Sequence, residues 1–222
     1  MAEKYGTIPK KFTKDWWEYF WTYYKWYVLI PVFIILAIVF TVAQKNSMEK
    51  FDLTLTYAGS NFFSEEVSAK IEENLSSLSP DLDGDGESKL SFMQYNFTGE
   101  TENIEYEQAL NNKLFLSIAE EQNFILIMDK EYAQRFAGDE SDSSVFAPLD
   151  NWLDSDYEGK ETFSANGINY GIALSEIPLF KELGADYEDH YLFIRFYPRK
   201  DQLEDFIDGY EASVKIANEI CK

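Results

Sequence analysis

The residues best suited to chemistry lie in one short run, Asp81-Leu82-Asp83-Gly84-Asp85-Gly86-Glu87. Carboxylates at positions 1, 3 and 5 with glycine at 6 form the first half of a calcium loop. Alternate oxygens there curl around one hard cation, and glycine permits the sharp turn. On this reading Asp81, Asp83, Asp85 and Glu87 hold Ca²⁺. Backbone carbonyls or water complete the shell, because Lys89 and Phe92 stand where the later ligands belong. The same residues also make a solvated Asp/Gly turn joining a helix to a strand, and both readings stand open.

A second set is defined by position. In an open parallel sheet, ligands bind at the carboxyl ends of the strands. Gly59, Ser60, Asn61, Thr98, Gly99 and Asp129 fall at three such ends and are the expected ligand contacts. Ordinary turns use the same residue types. Signals for catalysis are lacking. The chain contains no G-x-S-x-G, H-E-x-x-H or phosphate-loop motif. Ser47-Met48-Glu49-Lys50 matches S-x-x-K without its partner motifs, and His190 reads as a loop residue beside carboxylates. A single cysteine, Cys221, allows neither an intrachain disulfide nor a cysteine metal cluster. The expectation is a protein that is not an enzyme, with no cofactor beyond the Ca²⁺ reading above.

The elements that must position these residues follow from periodicity. Phe51, Leu53, Leu55 and Tyr57 alternate with Asp52, Thr54, Thr56 and Ala58, a strand with one face buried. Val67, Ile71, Leu75 and Leu78 recur at helical spacing behind Ser64 as N-cap. A strand from Lys89 to Phe97 and a helix marked by Tyr106, Leu110, Leu114 and Ile118 come next. Phe124 to Met128 has no polar alternation and reads as a central strand covered on both faces. A short helix over 129–138, strands over 168–174 and 191–197, and a closing helix over 201–220 complete the pattern. Strand and helix in alternation predict parallel pairing through right-handed crossovers, hence one three-layer α/β domain with a mostly parallel sheet over residues 51–222.

Ahead of this domain, residues 27–43 (YVLIPVFIILAIVFTVA) are seventeen residues without a charge. They read as a single transmembrane helix, with Pro31 in its first turn. Residues 1–26 form an interfacial aromatic segment and residues 44–50 a stem. The run DWWEYFWTYYKWY holds nine aromatics, among them Trp16, Trp17, Trp21 and Trp26 at the membrane interface. Lys11, Asp15, Glu18, Thr22 and Lys25 make one polar stripe along it. Lysines before the span outnumber those after it, which places the amino terminus in the cytoplasm and residues 44–222 outside, as an uncleaved signal anchor.

Phe124 to Trp152 then gives an order of features that resembles one family. A buried strand (FILIM) leads to Asp129, a helix (KEYAQRFAG), and Phe146-Ala147-Pro148-Leu149-Asp150; Asn169-Tyr170-Gly171-Ile172 and Ser175 to Pro178 follow. With Tyr57-Ala58-Gly59-Ser60 ending the first strand, this is similar to the first lobe of type II extracellular solute-binding proteins. The resemblance covers about half of the chain. It implies a periplasmic-binding-protein-like lobe without a second lobe of comparable size. The aromatic start and span resemble anchored envelope proteins of Gram-positive, clostridia-like bacteria.

Charge bounds the partners. The formal net charge is −21. Residues 1–49 carry six Lys against four acids, so residues 50–222 hold −23. Nucleic acid is thereby excluded, since binding it depends on Lys and Arg at the phosphates. The expected function is non-catalytic, extracytoplasmic binding of a ligand or partner at the outer membrane surface, with transporter-associated solute binding as one form of it. The alternative is an envelope scaffold that docks a membrane protein through the aromatic helix.

Overall fold

The computed structural model describes residues 9–47, 51–97, 104–119, 123–138, 144–196 and 203–222. It comprises two compact units, residues 1–49 and 50–222.

Among its described residues the first unit contains one helix, α1 (Lys14–Ser47). Thr13 closes its amino end: the hydroxyl accepts the N–H of Trp16 and donates to the carbonyl of Lys10. Residues Lys14–Thr41 are long and apolar enough to cross a membrane, and at 1.5 Å per residue the whole helix is about 50 Å long. Two expectations change here. The aromatic segment and the span are one uninterrupted helix, which also takes up residues 44–47 of the expected stem. Pro31 therefore lies in the helix interior, where its missing N–H costs one backbone bond.

Among the described residues of the second unit six strands form one sheet, β1 (Leu53–Gly59), β2 (Leu90–Asn96), β3 (Ile125–Asp129), β4 (Thr162–Ala165), β5 (Ile168–Ala173) and β6 (His190–Ile194). The spatial order is β2-β1-β3-β6-β5-β4. β1 pairs in parallel with β2 and β3, through crossover helices α2 (Glu65–Ser76) and α3 (Ile104–Ala119). β6 runs antiparallel to β3, and β5 and β4 continue antiparallel. Four of the six strands thus point one way, and the parallel ladder is confined to β2, β1 and β3. The β4–β5 pair is antiparallel because the two strands are joined by Asn166-Gly167, both at positive φ, a turn far too short for a crossover.

Two apolar clusters, one on each face, make the domain three-layered. Leu53, Leu55, Ile125, Ile127, Leu192 and Ile194 turn to one face, under Ile71 and Leu75 of α2 and Ile216 and Ile220 of α6 (Leu203–Ile220). Ala58, Leu126, Met128, Tyr191 and Phe193 turn to the other, under Leu114 and Ile118 of α3 and Tyr132 and Phe136 of α4 (Lys130–Ala137). A short α5 (Pro178–Glu182) buries Phe180 in the first cluster.

α2 also closes an edge. Strand β2 borders the sheet, and its outward N–H groups at Leu90 and Phe92 donate to Ser76 Oγ at 2.9 Å and Glu72 Oε1 at 2.8 Å. Ser68, one turn earlier on the same stripe, accepts from the side-chain amide of Gln94 at 2.8 Å.

Candidate functional site

β1 sends the chain through α2 on one face to β2, and β2 returns it through α3 on the other face to β3. The strand order reverses at β1, which opens a crevice between the carboxyl ends of β1 and β3, where ligands of open α/β sheets bind. A cleft of about 470 Å³ lies there, lined by Ser60, Asn61, Asp129, Lys130, Glu131, Gln134, Glu188, Asp189 and His190.

Asp129 organises the cleft. Its side chain is 8% exposed; Oδ1 accepts the N–H of Tyr132 at 2.9 Å and so caps α4, while Oδ2 accepts the N–H of Ser60 at 3.0 Å. One carboxylate thus ties the end of β1 to the start of α4. Gly59 is required beside it, because a Cβ there would stand 2.5 Å from the Tyr57 hydroxyl and 3.2 Å from Asp129 Oδ2.

Behind this rim runs a hydrogen-bonded chain. His190 is 3% exposed and pairs with Asp129 across the β3–β6 ladder. Its Nδ1 lies 2.7 Å from the carbonyl oxygen of Glu188, which can only accept, so Nδ1 carries a proton. In the neutral ring, Nε2 then accepts from the Tyr57 hydroxyl at 3.1 Å. The Tyr57 oxygen in turn accepts the N–H of Asn61 at 3.1 Å. The Tyr57 and His190 rings lie nearly parallel, and burial raises the Tyr57 phenol well above its ordinary range. Tyr187 packs edge-on against His190 and donates to the carbonyl of Phe62 at 3.2 Å. His190 is therefore the buried first residue of β6 rather than a loop residue.

The expected ligand contacts Gly59, Ser60, Asn61 and Asp129 come together here, whereas Thr98 and Gly99 lie outside the described residues. Sequence reasoning missed Lys130, Glu131, Gln134, Glu188 and Asp189. The last two enter because β6 runs antiparallel and brings its preceding loop to the carboxyl ends of β1 and β3.

The Asp/Gly loop is built around a residue outside it. Asp52 is 3% exposed; Oδ1 accepts from the N–H groups of Leu82 and Asp83, and Oδ2 from that of Lys89. Asp81 accepts from Gly84 and Gly86, Asp83 from Asp85, and Asp85 from Glu87. Asp52, Asp81 and Asp83 bring ligand oxygens within 4.8 Å of one another, whereas Asp85 and Glu87 stand outside that trio. Glu87 pairs with Lys89.

Trp16, Trp17, Trp21 and Trp26 lie along α1, with Trp16 stacked on Phe20 and Phe20 on Tyr24. Ser47 is the last residue of α1, and the rest of the S-x-x-K match lies outside the described residues. Comparison with family models, with curated proteins and with solved structures yields no match to this chain.

Proposed function

We propose that this chain is a membrane-anchored extracytoplasmic binding protein that takes a small polar solute in the cleft between β1 and β3. The observation that carries the reading is the convergence of Ser60, Asn61, Asp129 and His190 at the strand ends where the order reverses. Every lining residue carries a hydrogen-bonding group, which suits a polar solute. Helix α1 supplies the anchor, with the lysine-rich amino terminus in the cytoplasm. The resemblance to one lobe of type II solute-binding proteins agrees with a role beside a transporter.

The test uses the full chain in lipid nanodiscs. A panel of small solutes should contain one that raises the melting temperature in a saturable way. Ser60→Trp, which fills the cleft from an exposed position, should abolish that shift while leaving the circular dichroism unchanged. A flat response over amino acids, sugars, short peptides and amines overturns the reading.

A second reading is favoured by the continuity of the aromatic segment with the span in one helix. Here α1 docks a membrane protein and the outer domain is a spacer. A partner cross-linked in native membranes and lost with Trp16→Ala, Trp17→Ala and Trp21→Ala would select it.

A further inference from the structure

We infer that the outer domain binds the lipid surface through the amino end of its parallel ladder, an inference that rests on the membrane-anchored reading above. Among the described residues of the domain nine large apolar side chains are exposed, and five of them, Phe51, Phe115, Leu116, Phe196 and Ile207, belong to this one end. Phe51 precedes β1. Phe115 and Leu116 lie near the end of α3, where Ser117 Oγ accepts the side-chain amide of Asn123, just ahead of β3, at 2.9 Å. β6 runs antiparallel and so finishes at the same place: the N–H of Arg195 donates to the carbonyl of Phe124 at 2.8 Å, and Phe196 follows. Ile207 stands one turn before Tyr210, whose ring meets Phe124 edge-on at 5.5 Å.

The aromatic side chains here adjoin one another. Phe115 packs on Phe136 with ring centroids 5.1 Å apart. The carbonyl of Phe136 accepts from Val145, and that of Val145 from Phe196. Leu116 is 68% exposed, Phe115 60% and Phe196 48%, so the domain itself leaves this patch uncovered.

What covers it follows from the chain. Only residues 48–50 separate α1 from Phe51, a stretch that spans at most about 14 Å. A tether this short presents the patch to the bilayer at an effective concentration far above that of a partner free in solution, so a modest apolar contact suffices. Phe and Leu are side chains that enter the headgroup boundary. The flanking sequence is acidic, at Glu120-Glu121 and at Asp201, Glu204 and Asp205, so the attraction is apolar and suits zwitterionic rather than anionic headgroups. The β1–β3 cleft lies at the opposite ends of the same strands and on this inference opens away from the lipid, towards arriving solute.

Spin labelling of the full chain in phosphatidylcholine nanodiscs tests this, with one label at a time on Leu116→Cys, Phe196→Cys, Phe62→Cys or Ile35→Cys. Cys221 is buried and stays unlabelled. Phe62, exposed beyond the carboxyl end of β1, is the aqueous reference, and Ile35, within the apolar stretch of α1, is the lipid reference. Collision with oxygen relative to a water-soluble nickel chelate should be at least about threefold higher at positions 116 and 196 than at position 62. Phe115→Ser with Phe196→Ser should return the label at position 116 to the aqueous value. Replacing half of the lipid with phosphatidylglycerol should shift it the same way.

Aqueous values at positions 116 and 196 beside a lipid value at position 35 overturn the inference and leave the anchored reading standing. An aqueous value at position 35 overturns both. Protection from oxygen and chelate alike marks a protein cover and also overturns the inference. So does a contact that persists in the double serine variant or tightens with phosphatidylglycerol.

Discussion

The Tyr57 hydroxyl and the Nε2 of His190 lie 3.1 Å apart although 133 residues separate them in the chain. Their contact joins the end of β1 to the start of β6 without either strand pairing with the other, since β3 lies between them. The hydroxyl also accepts from Asn61, so one oxygen fixes the cleft rim and the imidazole together. Tyr57→Phe should cost about 1–3 kcal/mol, the penalty for leaving a buried imidazole nitrogen and a backbone N–H unpaired. Urea unfolding checks the cost. The amide resonance of Asn61 should also shift, a change that simple loss of packing would not produce.

Alkaline pH should unfold the domain in a defined window. Burial raises the Cys221 thiol from 9.0 to about 12, and raises the phenols of Tyr57 and Tyr191 above 10. For a group whose folded pKa is raised, stability is full below the unfolded pKa and is lost as pH climbs towards the folded one. Stability should therefore hold up to about pH 9, then fall, first through Cys221 and then through the tyrosines. Cys221→Ser should remove the part of the loss that begins near pH 9, read from urea midpoints between pH 8 and pH 11.

Asp52 should matter more than any carboxylate of the Asp/Gly loop. It accepts three backbone N–H groups in a buried position, and an amide at that site keeps only one accepting oxygen. Asp52→Asn should cost about 1–3 kcal/mol. Asp85→Asn and Glu87→Gln should stay within about 0.5 kcal/mol, as surface changes do. Chemical denaturation of the three variants checks the ranking.

Glu72→Ala should free the outward N–H of Phe92 on β2 and cost about 1 kcal/mol, whereas Glu72→Gln retains an acceptor and should restore most of it. Hydrogen exchange at Phe92 provides the readout, with faster exchange expected only in the alanine variant.

Much of this architecture is legible from residue order. Ser64 accepts from Val67 at the start of α2, and Asp129 caps α4, because short oxygen-bearing side chains satisfy local N–H groups and act within a few residues. The first three strands and their crossovers show in the period of their apolar residues for the same reason. The β4–β5 hairpin is missed, although Asn166-Gly167 is a strong local signal, because β4 has only four residues and barely alternates. The cleft is half legible. Gly59 to Asn61 and Asp129 follow from strand ends, but Glu188 and Asp189 depend on the direction of β6, which a run of apolar residues does not encode. Asp52 is hidden for a similar reason, since alternation marks it as outward-facing and only the fold wraps a loop over it.

The two borders of the sheet are not alike. At one, the side chains of α2 occupy the hydrogen-bonding positions that another strand would need. At the other, β4 offers four residues, about 13 Å of backbone. An open seven-residue border would be a template for strand-to-strand pairing between copies of the domain. With one border occupied by helix side chains and the other only four residues long, neither offers a long open edge for such pairing.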